Sequence, residues 1–203
     1  KLLEVVDNVG SFGRYHEPFL GGGALFFALA RADRLSGITC LSDINPNLID
    51  AYQGLRQNVG GVIRLLKMHK RRHCEEYFYQ IRARVPATQV GRVARIIYLN
   101  KTCFNGLYRE NSKGKFNVPI GSYDNPNICD EDNLRGVAAT LRHVDIEARD
   151  FTAATRLIRR RDLVYFDPPY NPVSKTSGFT HYVKGGFGID AQENLARMFT
   201  VLA

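Results

Sequence analysis

Leu163-Val164-Tyr165-Phe166-Asp167-Pro168-Pro169-Tyr170 is the stretch whose reading decides the fold. Four apolar residues in a row predict a buried strand of a sheet covered on both faces. The run then stops on a carboxylate, two prolines and an aromatic ring. Proline lacks an N–H and fixes φ, so the turn after the strand is stiff. Its carbonyl oxygens are held as acceptors at the carboxyl edge of the sheet, where open α/β sheets bind ligands. Asp167 and the Pro168 carbonyl offer two acceptors, and Tyr170 offers a flat face. Two acceptors beside a ring suit a planar exocyclic amino group, such as that of adenine or cytosine. A surface turn after a buried strand accounts for the same tetrapeptide, so the decision falls to the rest of the chain.

Two further segments end in the same way. Ile38-Thr39-Cys40-Leu41-Ser42-Asp43 predicts a short strand closing on an acid, and Val144 to Glu147 predicts another, followed by Asp150-Phe151. Before them, His16-Glu17-Pro18-Phe19-Leu20-Gly21-Gly22-Gly23 leads into the apolar helix that starts near Ala24. Backbone there can approach a ligand closely at a helix N-terminus. Phe26 breaks the dinucleotide fingerprint Gly-x-Gly-x-x-Gly, which argues for a cofactor without a pyrophosphate. Asp43 lies 20 residues beyond Gly23, where nucleotide-binding sheets place an acid that grips ribose hydroxyls. Ile44 beside it can pack on an adenine ring. Asn45-Pro46 reads as an N-cap and first helical residue. Near the end, Asp190-x-x-Glu193 reads as a capping box that opens a last amphipathic helix. The loop from Asn171 to Gly188 is polar and reads as mobile.

The charge is unevenly spread. The 203 residues carry a formal charge of +8, yet between Leu55 and Ile128 there are 14 Lys and Arg against 4 Asp and Glu. The remainder, 14 basic against 16 acidic residues, is slightly negative. A concentrated positive field suits a polyanion such as nucleic acid. Lys67, Lys70 to Arg72, Arg82, Arg84, Arg92 and Arg95 are expected to form that surface on short helices. Asn100 to Tyr123 follows, with the glycines of a hairpin among aromatics, amides and Arg. Amides and Arg read base edges, while aromatic and Leu side chains wedge between base steps.

Composition excludes several classes. Hydrophobic content of 44% allows a real core. No run approaches the roughly 18 apolar residues of a membrane span, and Lys1-Leu2-Leu3-Glu4 does not open a signal peptide. An intracellular, cytoplasmic protein is expected, with no membrane partner. Cys40, Cys74, Cys103 and Cys129 are scattered and expected to be reduced. His69 and His73 have ligand spacing but no second pair nearby, so no metal is expected.

Together these pieces resemble the DNA adenine-N6 methyltransferases of the Dam type, the alpha or D12 class of amino-methyltransferases. The resemblance rests on Glu-Pro-Phe-x-Gly-x-Gly at 17–23, Ser-Asp-Ile-Asn at 42–45 and Asn-Gly-Leu-Tyr-Arg at 105–109. It rests equally on Gly-Lys-Phe-Asn-Val-Pro-Ile-Gly at 114–121 and Asp-Pro-Pro-Tyr at 167–170. It implies an α/β fold: a Rossmann-like S-adenosylmethionine-dependent methyltransferase sheet with an inserted, mainly helical target-recognition domain containing a β-hairpin. Residues 1–54 and 129–203 are then the catalytic domain and 55–128 the insert. S-adenosyl-L-methionine is implied as the methyl donor, with Phe19, Gly21 and Gly23 at its methionine end, Asp43 at its ribose, and Ile44, Asp150 and Phe151 at its adenine. Asp167, which also touches the donor, and Pro168 accept hydrogen bonds from the N6 of a flipped-out adenine. Pro169 stiffens the turn and Tyr170 stacks on the base. Leu107 and Arg109 read neighbouring bases, Phe104 or Asn105 fills the gap, and Asn117 and Pro119 complete the contact to double-stranded DNA. A monomer is expected, in a bacterial nucleoid or a phage-infected cell, with a cognate restriction endonuclease as a partner. The family's aromatic-x-Gly-Gly/Ser-Lys segment precedes the glycine loop, and later strands complete its sheet, so the catalytic domain is expected to be truncated at both ends. Ser122 stands where GATC-specific relatives tend to carry Arg, which leaves the recognition sequence open. Cytosine-N4 methylation and a catalytically incomplete DNA-binding relative are the alternatives. A nicotinamide-dependent oxidoreductase ranks last because the glycine pattern fails.

Overall fold

The structure, a computed structural model, describes Val6 and residues 10–111, 114–169 and 187–202. By internal packing the chain divides into two units: the first holds described residues 10–49, 140–169 and 187–202, the second 50–139.

The first unit is built on a parallel sheet of β1 (Tyr15–Glu17), β2 (Thr39–Asp43), β3 (Asp145–Ala148) and β4 (Leu163–Val164) in the order β3-β2-β1-β4. This is the order of a doubly wound nucleotide-binding half, with its reversal between β1 and β4. The register pairs His16 with Cys40 and with Val164, and Leu41 with Ile146. Helix α1 (Ala24–Arg31) contributes the buried Leu25, Phe26 and Leu29 to the core beside Leu41 and Ile146. β1 is wholly buried although its residues are Tyr, His and Glu. Burial of polar side chains demands partners, and all three have them. The Tyr15 hydroxyl donates to Glu17 at 2.6 Å, and His16 Nε2 lies 3.0 Å from Asp162 Oδ2. Asp162 also accepts from Arg14 at 2.7 Å and from the Arg159 N–H at 2.8 Å, which fastens the start of β4 to β1.

β4 corrects the expected buried strand. Only Leu163 and Val164 are paired as strand, both half-buried, and Asp167 is exposed. Among the described residues β4 is the edge of the sheet, so one side of the apolar run has no strand against it.

Helix α2 (Pro46–Arg72) begins in the expected way, with the Asn45 side chain accepting from the Asn47 N–H at 3.0 Å. It runs through residues 54 and 55 and bends at Asn58, whose φ of −149° is not helical. Helices α3 (Glu75–Ala83), α4 (Gln89–Thr102) and α5 (Glu131–Thr140) follow. The second unit's core joins Leu55, Val62, Leu66, Phe78, Val93, Tyr98, Leu99 and Val118. Between α4 and α5 the chain doubles back through isolated antiparallel bridges, Cys103 to Ile120 and Glu110 to Phe116, rather than through paired strands. Helices α6 (Phe151–Thr155) and α7 (Ile189–Leu202) belong to the first unit.

The last helix corrects another expectation. α7 starts at Ile189, and the Gln192 N–H bonds back to the Gly188 carbonyl at 3.1 Å. Gly188 therefore holds the cap position and Asp190 lies inside the first turn, where its charge complements the helix dipole instead of capping. The loop expected over 171–188 lies largely outside the described residues. No helix among those described is long and apolar enough to cross a membrane.

Candidate active site

The carboxyl ends of β1 and β4 lie side by side, because Tyr15 pairs with Leu163 and the Tyr165 N–H bonds to the His16 carbonyl at 2.9 Å. Each strand delivers one predicted segment there: β1 runs into Glu17-Pro18-Phe19 and the glycine loop, and β4 into Phe166-Asp167-Pro168-Pro169. The Phe19 ring stacks on Phe151 at 5.2 Å and meets Phe166 edge-on at 6.3 Å. Phe187 closes the cluster at 5.6 Å from Phe19 and 5.8 Å from Phe151. Sequence reasoning missed Phe187, which follows a polar loop and belongs to no periodic run. Tyr170 lies outside the described residues.

The glycine loop is held by β2. Asp43 Oδ2 accepts from the Gly21 N–H at 3.0 Å and Asp43 Oδ1 from the Asn45 N–H at 2.9 Å. The Leu20 N–H reaches the Ser42 carbonyl at 2.9 Å. Gly21 and Gly23 have φ of +47° and +64°, values L side chains rarely adopt. A Cβ on Gly23 would press on the Phe27 ring at 3.0 Å, whereas one on Gly21 or Gly22 would enter open space. Gly21 and Gly22 therefore border open space, where a ligand can approach the backbone closely. Ile44, at the end of β2, is an apolar side chain left 50% exposed. Asp150 Oδ1 accepts from the Thr152 N–H at 2.9 Å and caps α6, which puts Phe151 at the start of that helix. Asp150 Oδ1 also accepts from the Thr152 hydroxyl at 2.6 Å, so further accepting capacity lies on its Oδ2 and on the second lone pairs of the Asp43 oxygens.

Glu17 is the second residue the sequence did not single out as a site, although it opens the Glu-Pro-Phe motif. It is only 2% exposed. Burial, with the Asp167 charge added, pushes its carboxyl up to about 7 against the hydrogen bonds from Tyr15 and the Phe26 N–H. Burial and the Glu17 charge raise Tyr15 in turn.

In the second unit Phe104, Asn105, Leu107 and Pro119 are exposed, and Asn105 adopts φ +51° in a short turn of 3₁₀ helix. Arg109 and Asn117 are half-buried and bonded to each other, Nε to Oδ1, at 2.8 Å. An open depression of about 740 Å³ is lined by Asn100, Lys101, Asn105, Ser122, Tyr123 and Asn125, among others.

The expected positive surface needs correction. Arg95 is buried, and its guanidinium donates to the Ile81 and Arg82 carbonyls at 2.9 and 2.7 Å, closing the C-terminus of α3. Arg92 pairs with Asp50 at 2.8 Å, Arg82 reaches the Val118 carbonyl at 3.1 Å, and Lys67 pairs with Glu131. Lys70, Arg71, Arg72 and Arg84 are exposed. His69 and His73 are spent on tyrosines, with Nδ1 atoms 2.7 Å from the Tyr77 hydroxyl and 2.9 Å from that of Tyr98. Among the described residues no cluster of His, Cys, Asp and Glu could hold a metal ion, and the four cysteines are free.

A family profile described as D12 class N6 adenine-specific DNA methyltransferase matches residues 1–203. The chain is 39% identical over 206 residues to the Type II methyltransferase M.MjaIII of Methanocaldococcus jannaschii, covering 95% of this chain and 71% of that protein. It is also 39% identical over 199 residues to the Type II methyltransferase M1.LlaDCHI of Lactococcus lactis subsp. cremoris, covering 94% of this chain and 68% of that protein. To the DNA adenine methylase of Haemophilus influenzae it is 34% identical over 185 residues, covering 89% of this chain and 63% of that protein.

Proposed function

The chain belongs to the D12 class of N6 adenine-specific DNA methyltransferases, and from that premise we propose that its methyl donor is S-adenosylmethionine, held in the crevice at the β1–β4 switch point. The bare backbone of Gly21 and Gly22, the exposed Ile44 and the Asp43 carboxylate fit a nucleoside carrying an amino-acid tail. When bound, the donor supplies an electrophilic methyl on a sulfonium centre. Asp43 holds the ribose, Ile44, Asp150 and Phe151 the adenine ring, and Phe19, Gly21 and Gly23 the methionine end.

The acceptor is an adenine turned out of duplex DNA. Asp167 and the Pro168 carbonyl accept hydrogen bonds from its N6, which draws the nitrogen toward tetrahedral geometry and frees its lone pair for in-line attack. Pro169 keeps the turn rigid, and Tyr170 stacks on the extruded base. Positioning and fixed dipoles supply the rate, with no covalent enzyme intermediate. Phe104 or Asn105 enters the gap, Leu107 and Arg109 read adjacent bases, and Asn117 fixes the Arg109 fork. Exposure of Phe104, Leu107 and Pro119 supports this. The chain acts as a monomer, and the Type II names of two relatives support a cognate restriction endonuclease.

One observation carries the reading: the acidic corner after β4 stands beside the glycine loop after β1. Asp167→Ala is expected to lower methyl transfer on the order of 100-fold or more while DNA binding persists. Labelled methyl incorporation into duplex DNA, with digestion to nucleosides to locate N6-methyladenine, makes the measurement. Wild-type transfer in the variant would exclude the role of Asp167.

A further inference from the structure

We propose that Asn100 is a positioning residue for base extrusion: its side-chain amide locks the Phe104–Gly106 turn into the shape that opens the target base pair. The inference rests on the reading that this turn enters duplex DNA beside the flipped adenine.

Asn105 and Gly106 follow one another at φ of +51° and +61°. Left-handed residues ordinarily occur singly, because the conformation is costly for L side chains. Such a backbone persists where its surroundings over-determine it, and several bonds converge on this one. Asn100, in the last turn of α4, donates from Nδ2 to the Gly106 carbonyl at 2.6 Å. The Gly106 N–H bonds to the Cys103 carbonyl at 3.2 Å, and the Leu107 N–H to the Phe104 carbonyl at 3.2 Å. From the returning segment, the Pro119 carbonyl accepts the Phe104 N–H at 3.0 Å, and the Gly121 N–H reaches the Thr102 carbonyl at 2.8 Å. That approach needs glycine, since a Cβ on Gly121 would lie 2.8 Å from the Cys103 carbonyl oxygen.

The side chains this turn holds out are apolar: Phe104 is 51% exposed and Leu107 40%. Apolar side chains of this kind unstack base steps when they enter a duplex. Held on a stiff support, they lose their freedom when the chain folds rather than when DNA is met. Among these bonds the Asn100 bond comes from a side chain, so a substitution can remove it while the backbone bonds stay. Asn100 also lies at the surface, where it lines the open depression with Asn105 and Gly106. Without its amide the Gly106 carbonyl is released and the two left-handed residues can relax. The wedge then loses its bearing, whereas Arg109 keeps its own through Asn117.

The test uses the full chain and a short duplex bearing an adenine that the wild type methylates, beside a matched duplex in which that adenine faces an abasic site. The second substrate has no pair to open, and extrusion costs least where the base is already unpaired. Single-turnover transfer of labelled methyl is measured on both. Asn100→Leu keeps the size of the side chain and has no donor. It is expected to slow transfer to the paired duplex roughly 3- to 10-fold, the effect of one lost hydrogen bond, and to leave the abasic duplex near the wild-type rate. Asn100→Asp keeps the shape but offers the carbonyl no N–H. Its added charge acts alike on both duplexes, so the ratio of the two rates is expected to fall as in the Leu variant, and it decides the matter where that variant does not fold. An equal loss on both duplexes, or no loss on either, overturns the inference and leaves the methyltransferase reading standing. A wild type that methylates no adenine in duplex DNA overturns that reading, and the inference with it.

Discussion

Glu17 makes the folded state sensitive to pH independently of any ligand. Its carboxyl is held above the ordinary value of 4.5, at about 7, so the folded chain binds its proton more tightly than the unfolded chain. The associated stability is fully present below the unfolded value and is lost as pH rises through the folded one. Between about pH 5 and pH 8 this removes roughly 2 to 3 kcal/mol. Urea unfolding at the two ends of that range is expected to show a difference smaller by this amount in Glu17→Gln than in the wild type. An unchanged difference would mean that Glu17 is ionised throughout. At this scale Asp43, Asp167 and Phe19 were legible because each sits at a fixed offset from a strand or a glycine. Burial was not legible: no pattern of neighbours in the chain distinguishes Glu17, inside, from Asp167, outside.

Elements reveal a different division. Asn45-Pro46 was legible because capping is local chemistry, and Asn45→Ala is expected to cost about 1 kcal/mol in thermal or urea unfolding. β1 was less legible, since three polar residues show no alternation and are held by Asp162 from far along the chain. α3 depends on a donor from α4, the buried guanidinium of Arg95. Arg95→Met is expected to cost roughly 2 to 3 kcal/mol, because two charge-assisted bonds are lost and two helix-end carbonyls are left unpaired. A loss below half a kcal/mol, measured the same way, would show that water replaces the guanidinium.

For the whole molecule, the expected polyanion field has to be counted on exposed cations. Lys70 and Arg71 are exposed on the last turn of α2, whereas Arg92 and Arg95 serve the fold. The double variant Lys70→Gln, Arg71→Gln is expected to reduce the slope of log affinity for duplex DNA against log salt by about 2, since each phosphate contact contributes roughly 0.9. Arg95→Met is expected to leave that slope unchanged at temperatures where it is folded. Equal slopes in wild type and double variant would remove these two residues from the DNA contact. Three of the sheet's strands were legible from their acid ends, and the glycine loop from its residues, whereas β1, and with it the switch point between β1 and β4, was not. The distribution of charge was only half legible, because composition counts cations without saying which ones turn inward to close helices.

The clamp of Asp43 on the Gly21 and Asn45 amides has a kinetic corollary. The loop takes its shape from the protein's own carboxylate, so its backbone freedom is surrendered when the chain folds. On the proposed reading, a nucleoside arriving there finds a seat already set, and capture is expected to proceed as a single diffusive encounter without a slow rearrangement. Deuterium uptake at the Gly21 amide then requires an opening that breaks its bond to Asp43, and a nucleoside that binds the closed loop is expected to slow it.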